Sequence, residues 1–179
     1  LLDAVSFNIS GDKRHQEKDF QGAVKEFTIG LMIDPSNVNL HNSLGVCHGV
    51  LGSLEKALEF FDAALWLDPD EIMALYNKGL IFMMKENWQK ALDFFLQANQ
   101  SGEAVFEILF QIGRIYLQIG KSKEGRKFLE KAVKLQPDSG SAFRFLGESY
   151  AVDEMIEEAI YAYTKAVKQN PSDAASFSA

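Results

Sequence analysis

The sequence predicts an all-α solenoid in which helix-turn-helix units, each of roughly 34 residues, stack side by side. Three observations predict it. The four prolines, Pro35, Pro69, Pro137 and Pro171, fall on one period, with a single beat skipped at Glu103. Glycines keep the beat without a gap, at Gly11, Gly45, Gly79, Gly113 and Gly147. Small residues (Ala23, Ala57, Ala91, Gly125, Ala159) recur at the same period, with a bulky apolar residue four later (Phe27, Phe61, Phe95, Leu129, Tyr163) and a small one three beyond that (Gly30, Ala64, Ala98, Ala132, Ala166).

The period divides the chain into repeats 4–37, 38–71, 72–105, 106–139 and 140–173 of a single array. Within each repeat, apolar residues fall at helical spacing in two blocks, such as Leu44 to Leu51 and Leu54 to Leu67. A short break containing Gly or charged residues separates the blocks, and Asp-Pro or an equivalent ends the second. Proline cannot continue a helix but suits the turn that follows one. In repeat one the first helix is expected over Ser6 to Lys18, polar on both sides and weakly buried. Repeats two and three follow the pattern, except that His41 and His48 stand at aromatic positions and Lys78 where leucine is usual; Ser10 and Arg14 are the matching departures in repeat one. Repeat three ends without its proline, within Asn99-Gln100-Ser101-Gly102. Repeat four carries a basic second helix with Lys121, Lys123, Arg126, Lys127, Lys131 and Lys134, read as a solvated face. After repeat five, residues 174–179 look like the start of a sixth first helix with Phe177 at its aromatic position, and the chain, which opens on Leu1, is expected to be cut from a longer one.

Composition narrows the function classes. The chain has 179 residues, 47% hydrophobic and 24% charged, with a net charge of −7, which argues against nucleic acid as the main partner. Cys47 is the only cysteine, so no intramolecular disulfide forms. No apolar run approaches the roughly 18 residues that span a bilayer. No membrane partner and no leader are read, and the cytoplasm is the default location.

The pattern resembles the tetratricopeptide repeat, W-x2-L-G-x2-Y followed by A-x3-F and P. Repeat five carries it most fully, in Phe143, Leu146, Gly147, Tyr150, Ala159, Tyr163 and Pro171. The resemblance implies a right-handed α-α superhelix whose first helices line a concave groove and whose second helices form the outer surface. It further implies a scaffold, not an enzyme and without cofactor or metal, that binds a peptide or helical segment of a partner protein in that groove. Carried over by position, the groove is lined by Asn42, Ser43 and Val46, then Met73, Tyr76, Asn77, Leu80 and Met84, then Phe110, Gln111, Arg114, Arg144 and Phe145.

The middle of this surface is apolar, and methionine-rich surfaces repack around different ligands. Burying three ligand side chains at about 1.5–3 kcal/mol each, with amide contacts near ~1 kcal/mol apiece, offsets an association cost of at least ~4 kcal/mol. That balance fits roughly micromolar binding. The Lys and Asn set with which some members clamp a C-terminal carboxylate is not matched at Asn8, Asp12, Ser43, Met73 and Asn77. Arg114 and Arg144 offer a different geometry for an acidic group, although Arg144 is expected to pair with Glu148 four residues on. His41 and His48, seven apart, do not chelate one metal and are read as packing residues, as is Cys47. Two other readings stand beside the scaffold. One is the substrate-recruiting arm of a larger enzyme such as a glycosyltransferase, for which Ile9, Ser43, Asn77, Gln111 and Phe145 match an asparagine ladder only in part. The other is self-association through exposed repeat ends.

Overall fold

The computed structural model describes residues 3–101 and 105–169. Among them are ten α-helices and one 3-10 turn, with no strand. The chain divides into two compact units, Leu1–Ala98 and Asn99–Ala179.

The first unit holds α1 (Ala4–Gln16), α2 (Phe20–Ile33), α3 (Val38–Val50), α4 (Leu54–Leu67), α5 (Ile72–Met84) and α6 (Trp88–Ala98). Each helix packs on the next, and the first helices α3 and α5 also touch. The second unit opens with the 3-10 turn Asn99–Ser101, then α7 (Phe106–Gln118), α8 (Ser122–Leu135), α9 (Gly140–Val152) and α10 (Ile156–Gln169). Here too successive α-helices pack in order and the first helices α7 and α9 meet. The first helix of repeat one starts and stops two residues earlier than expected. Asp3 caps it by accepting the Ser6 amide at 2.8 Å, and Lys18 has left the helix. The remaining first helices begin one full period apart, at Val38, Ile72, Phe106 and Gly140.

The recurring glycine and ring are two halves of one contact. A Cβ on Gly11 would fall 2.3 Å from the Phe27 ring, and on Gly45 2.4 Å from that of Phe61. The rings themselves are 1% exposed, so they have nowhere to retreat. In repeat four the helices come closer still, because Gly125 replaces alanine and a Cβ there would meet the Gly113 carbonyl oxygen at 2.8 Å. Around these contacts lie separate cores: Phe27, Leu40, Leu44 and Cys47; Phe61, Ala64, Ala74 and Ile81; and, in the second unit, Leu129, Phe143, Leu146, Ala162 and Ala166.

Every hairpin turns the same way. One residue after each first helix adopts a left-handed conformation: Lys18 (φ 61°), Gly52 (77°), Glu86 (55°), Gly120 (76°) and Glu154 (58°). Its amide, and the next one, return to carbonyls of the last helical turn, as in Asp19 N–H to Arg14 O at 2.9 Å and Lys121 N–H to Tyr116 O at 2.8 Å. That is a Schellman cap, which satisfies the orphan carbonyls and reverses the chain in few residues.

Where the proline is missing, the second helix is also short. Helix α6 has 11 residues against 14 in α2, α4, α8 and α10. Residues 102–104, with the skipped beat at Glu103, and the tail that holds Phe177 lie outside the described residues.

Candidate functional site

In the first unit, Asn42, Ser43 and Val46 lie on α3, and Met73, Tyr76, Asn77, Leu80 and Met84 on α5. The Asn77 Nδ2 donates to Asn42 Oδ1 at 3.1 Å, which ties the two helices along the face that carries the other residues. Val46, Tyr76 and Leu80 are half-buried. The Tyr76 ring rests against Phe95, 5.5 Å between centroids. Met73 and Met84, by contrast, are 52% and 66% exposed. In the same unit a small cavity of about 120 Å³ is lined by Asp12, His15, Phe27, Asn42, Ser43 and Val46.

In the second unit, Phe110, Gln111 and Arg114 on α7 meet Arg144 and Phe145 on α9 in one cluster. The Phe110 and Phe145 rings pack edge to face at 5.6 Å, and Phe106 stacks on Phe110 at 5.6 Å. The Arg114 guanidinium carbon lies 5.5 Å from the Phe110 centroid and 5.1 Å from that of Phe145. Its Nη1 donates to Gln111 Oε1 at 2.9 Å. The Arg144 guanidinium sits over the Phe145 ring at 3.9 Å. The expected Arg144–Glu148 ion pair does not form: none of the ion pairs among the described residues includes Arg144. Stacking on the adjacent ring holds the guanidinium instead.

Arg126 is not solvated. It belongs to the basic run read as solvated, yet its side chain is 13% exposed and it bridges to Asp153, itself 17% exposed. Ser122 Oγ donates to the other oxygen of Asp153 at 2.7 Å, and Arg126 also reaches the Ser149 carbonyl at 3.3 Å. The guanidinium lies over Tyr150, whose hydroxyl donates to Glu130 at 2.9 Å. Burial, with that hydrogen bond to Glu130, pushes the Tyr150 phenol up to about 12. This network joins α8 to α9 and the turn that follows it.

Lys78, where leucine is usual, is likewise absorbed. Its ammonium pairs with Asp62 and lies 4.4 Å from the Phe94 centroid. His48 stacks on Phe60 at 5.4 Å, and burial, with a smaller contribution from Lys56, lowers its pKa. His41 Nε2 lies 3.0 Å from the Pro35 carbonyl. Cys47 is fully buried, and desolvation pushes its thiol up to about 11. All three pack as the sequence suggests. Exposed apolar residues also stand on the second helices, where sequence reasoning did not look: Trp66 at 83% and Met32 at 79%, with Ile29 and Ile33, and on α10 Ile156, Ile160 and Tyr161. Met32 and Trp66 stand one period apart, in equivalent places of successive repeats, and that spacing could have flagged them.

Among the described residues, no group of three or more His, Cys, Asp or Glu is placed to hold a metal ion. No described helix is long and apolar enough to cross a membrane.

Two family models, each described as tetratricopeptide repeat, match residues 17–72 and 106–139. Among solved structures, a crystal structure of MamA is 25% identical, covers 92% of this chain and 96% of its own, and superposes with a TM-score of 0.79. MamA 41-end from Desulfovibrio magneticus RS-1 is 19% identical over 96% of this chain and 97% of its own, with a TM-score of 0.81. Pseudomonas aeruginosa pilF is 20% identical over 93% of this chain and 76% of its own, with a TM-score of 0.86. No curated protein sequence matches.

Proposed function

The chain belongs to the tetratricopeptide-repeat family, and from that premise we propose that its five repeats form a single array that binds a peptide or helical segment of a partner protein along the first-helix face. The protein is a scaffold of the kind that mediates protein–protein interaction, and its work on this reading is recognition, with no catalysis of its own. The observation that carries the proposal is the exposure of Met73 and Met84 on the face that also holds half-buried Tyr76 and Leu80. Exposed methionines leave apolar area in water at a cost of ~25 cal/mol per Å² that a partner recovers. Their unbranched side chains adapt to more than one ligand shape.

A photo-crosslinking amino acid placed at Met84, and in a second variant at Glu59 on an exposed stretch of α4, tests this in source lysate. The expected result is a discrete adduct from Met84 that a Met73→Glu partner substitution abolishes while helicity by circular dichroism is unchanged. An adduct from Glu59 alone, or one from Met84 that survives Met73→Glu, overturns the reading and moves the working surface to the second helices.

A further inference from the structure

The first-helix face of the second unit carries a ligand chemistry of its own, and the inference here rests on the groove reading just given. We propose that the Arg114–Phe145–Arg144 stack is a site for the side-chain carboxylates of an acidic segment of the partner.

Both guanidinium carbons lie against one ring, 5.1 and 3.9 Å from the Phe145 centroid, so by the triangle inequality they stand within about 9 Å of each other. Arg144, the nearer of the two to the ring, is the cation offered to a ligand carboxylate, and Arg114 adds positive charge beside it. A guanidinium lying on a ring keeps its in-plane N–H edge directed away from that ring, and that edge makes paired hydrogen bonds to a carboxylate. Arg144 is half-buried and makes no ion pair among the described residues. A partly desolvated cation held by packing rather than by a carboxylate gains more from an incoming anion than a solvated one does.

Two acidic residues share these helices, exposed Glu107 and half-buried Glu148. They decide between anions of similar shape. Their charge opposes a phosphate dianion more strongly than a carboxylate monoanion, which is why the site is assigned to Asp and Glu side chains. Glu148 also stands where it competes for Arg144, four residues away on the same helix. The site therefore has a built-in rival whose removal sharpens it.

A random ten-residue peptide library, displayed with its C-terminus fused so that no free carboxyl end is present, is selected on the whole chain and on three variants. Wild-type protein is expected to enrich Asp and Glu severalfold over the input. Arg144→Gln is expected to erase that enrichment and to weaken the selected peptides roughly tenfold, more steeply at low than at high salt. Arg144→Lys, which keeps the charge but loses the planar stack, recovers less than half of the acidic preference. Glu148→Gln tightens binding of the same peptides about two- to fivefold.

Peptides selected without acidic enrichment, or enrichment that persists in Arg144→Gln, overturn the proposal while leaving the groove reading standing. Enrichment confined to a second library with a free C-terminus overturns the assignment to side-chain carboxylates. Failure of the wild-type chain to select any peptide sinks the groove reading and this inference with it.

Discussion

Replacing Arg126 by methionine removes the cation from the α8–α9 network and keeps most of the side-chain volume. Breaking a buried pair by deleting one partner costs about 3–5 kcal/mol, because the remaining charge is left uncompensated. Here Asp153 is 17% exposed and keeps the Ser122 hydroxyl at 2.7 Å, so about 1 kcal/mol of that cost is returned by the surviving hydrogen bond. Loss of the cation over the Tyr150 ring adds back about 0.5–1 kcal/mol. The expected destabilisation is about 2.5–5 kcal/mol, a large share of a small unit's stability. Urea unfolding followed at two signals checks it. Circular dichroism reads helices of both units, whereas Trp66 and Trp88, the only tryptophans, lie in the first. The Arg126→Met transition should move to lower urea by circular dichroism while tryptophan emission keeps its midpoint. A double variant with Asp153→Asn should lose little beyond either single change, because both remove one interaction. A change below ~0.5 kcal/mol by circular dichroism refutes the reasoning, since surface substitutions do as much. An equal shift in both signals refutes its locality.

Other expectations follow from the same structure. Burial lowers the pKa of His48 below its ordinary 6.5, so the neutral ring is the form the fold prefers. The unfolded chain then binds more protons, and this stabilisation is complete above pH 6.5 and is lost as pH falls below it. His48→Phe, which keeps the stack on Phe60, should flatten the stability profile between about pH 7.5 and 5.5 in urea titrations. Gly45→Ala drives a methyl into the Phe61 ring and should cost about 1–3 kcal/mol, read by tryptophan emission. Glu86→Gly relieves a left-handed glutamate at φ 55° and should stabilise by roughly 0.5–1 kcal/mol in thermal melts, a result that an unchanged or lower Tm would contradict. Cys47, buried and with its thiol pushed up to about 11, should resist aromatic disulfide reagents at pH 8 until urea unfolds the first unit.

The period was legible because its cause is local and repeated. Gly45 and Phe61 must be what they are for two helices to touch, and so must Gly11 and Phe27; one such pair is a coincidence, and five carry a register. The turn was legible as a break, but not its conformation: Gly52 and Gly120 hint at a left-handed residue, whereas Lys18, Glu86 and Glu154 conceal it. Residues on the first-helix face could be selected by position alone. How they use their charge could not. Arg126 looks like any lysine-rich surface residue until Asp153, 27 positions later, is brought beneath it. Arg144 looks paired with Glu148 until the adjacent Phe145 ring is seen to hold it. Helical spacing states which side chains are neighbours; it does not state which of two neighbours wins.

One contact changes its chemistry from hairpin to hairpin. At the same register between first and second helix stand Arg14 with Glu26, joined at 3.1 Å, His48 stacked on Phe60, Phe82 on Phe94 and Tyr116 on Phe128. In the last repeat Tyr150 faces Ala162 in sequence and turns to Glu130 instead. A chain of similar hairpins is exposed during folding to mispairing, in which one repeat's first helix docks on another's second. Arg14 placed against Phe60 would forfeit its carboxylate, and Phe82 placed against Glu26 would bury a charge beside an apolar ring. The pair thus sets the first and last hairpins apart from the three between them, which share a ring stacked on Phe60, Phe94 or Phe128, so that a sequence built on sameness still marks its ends.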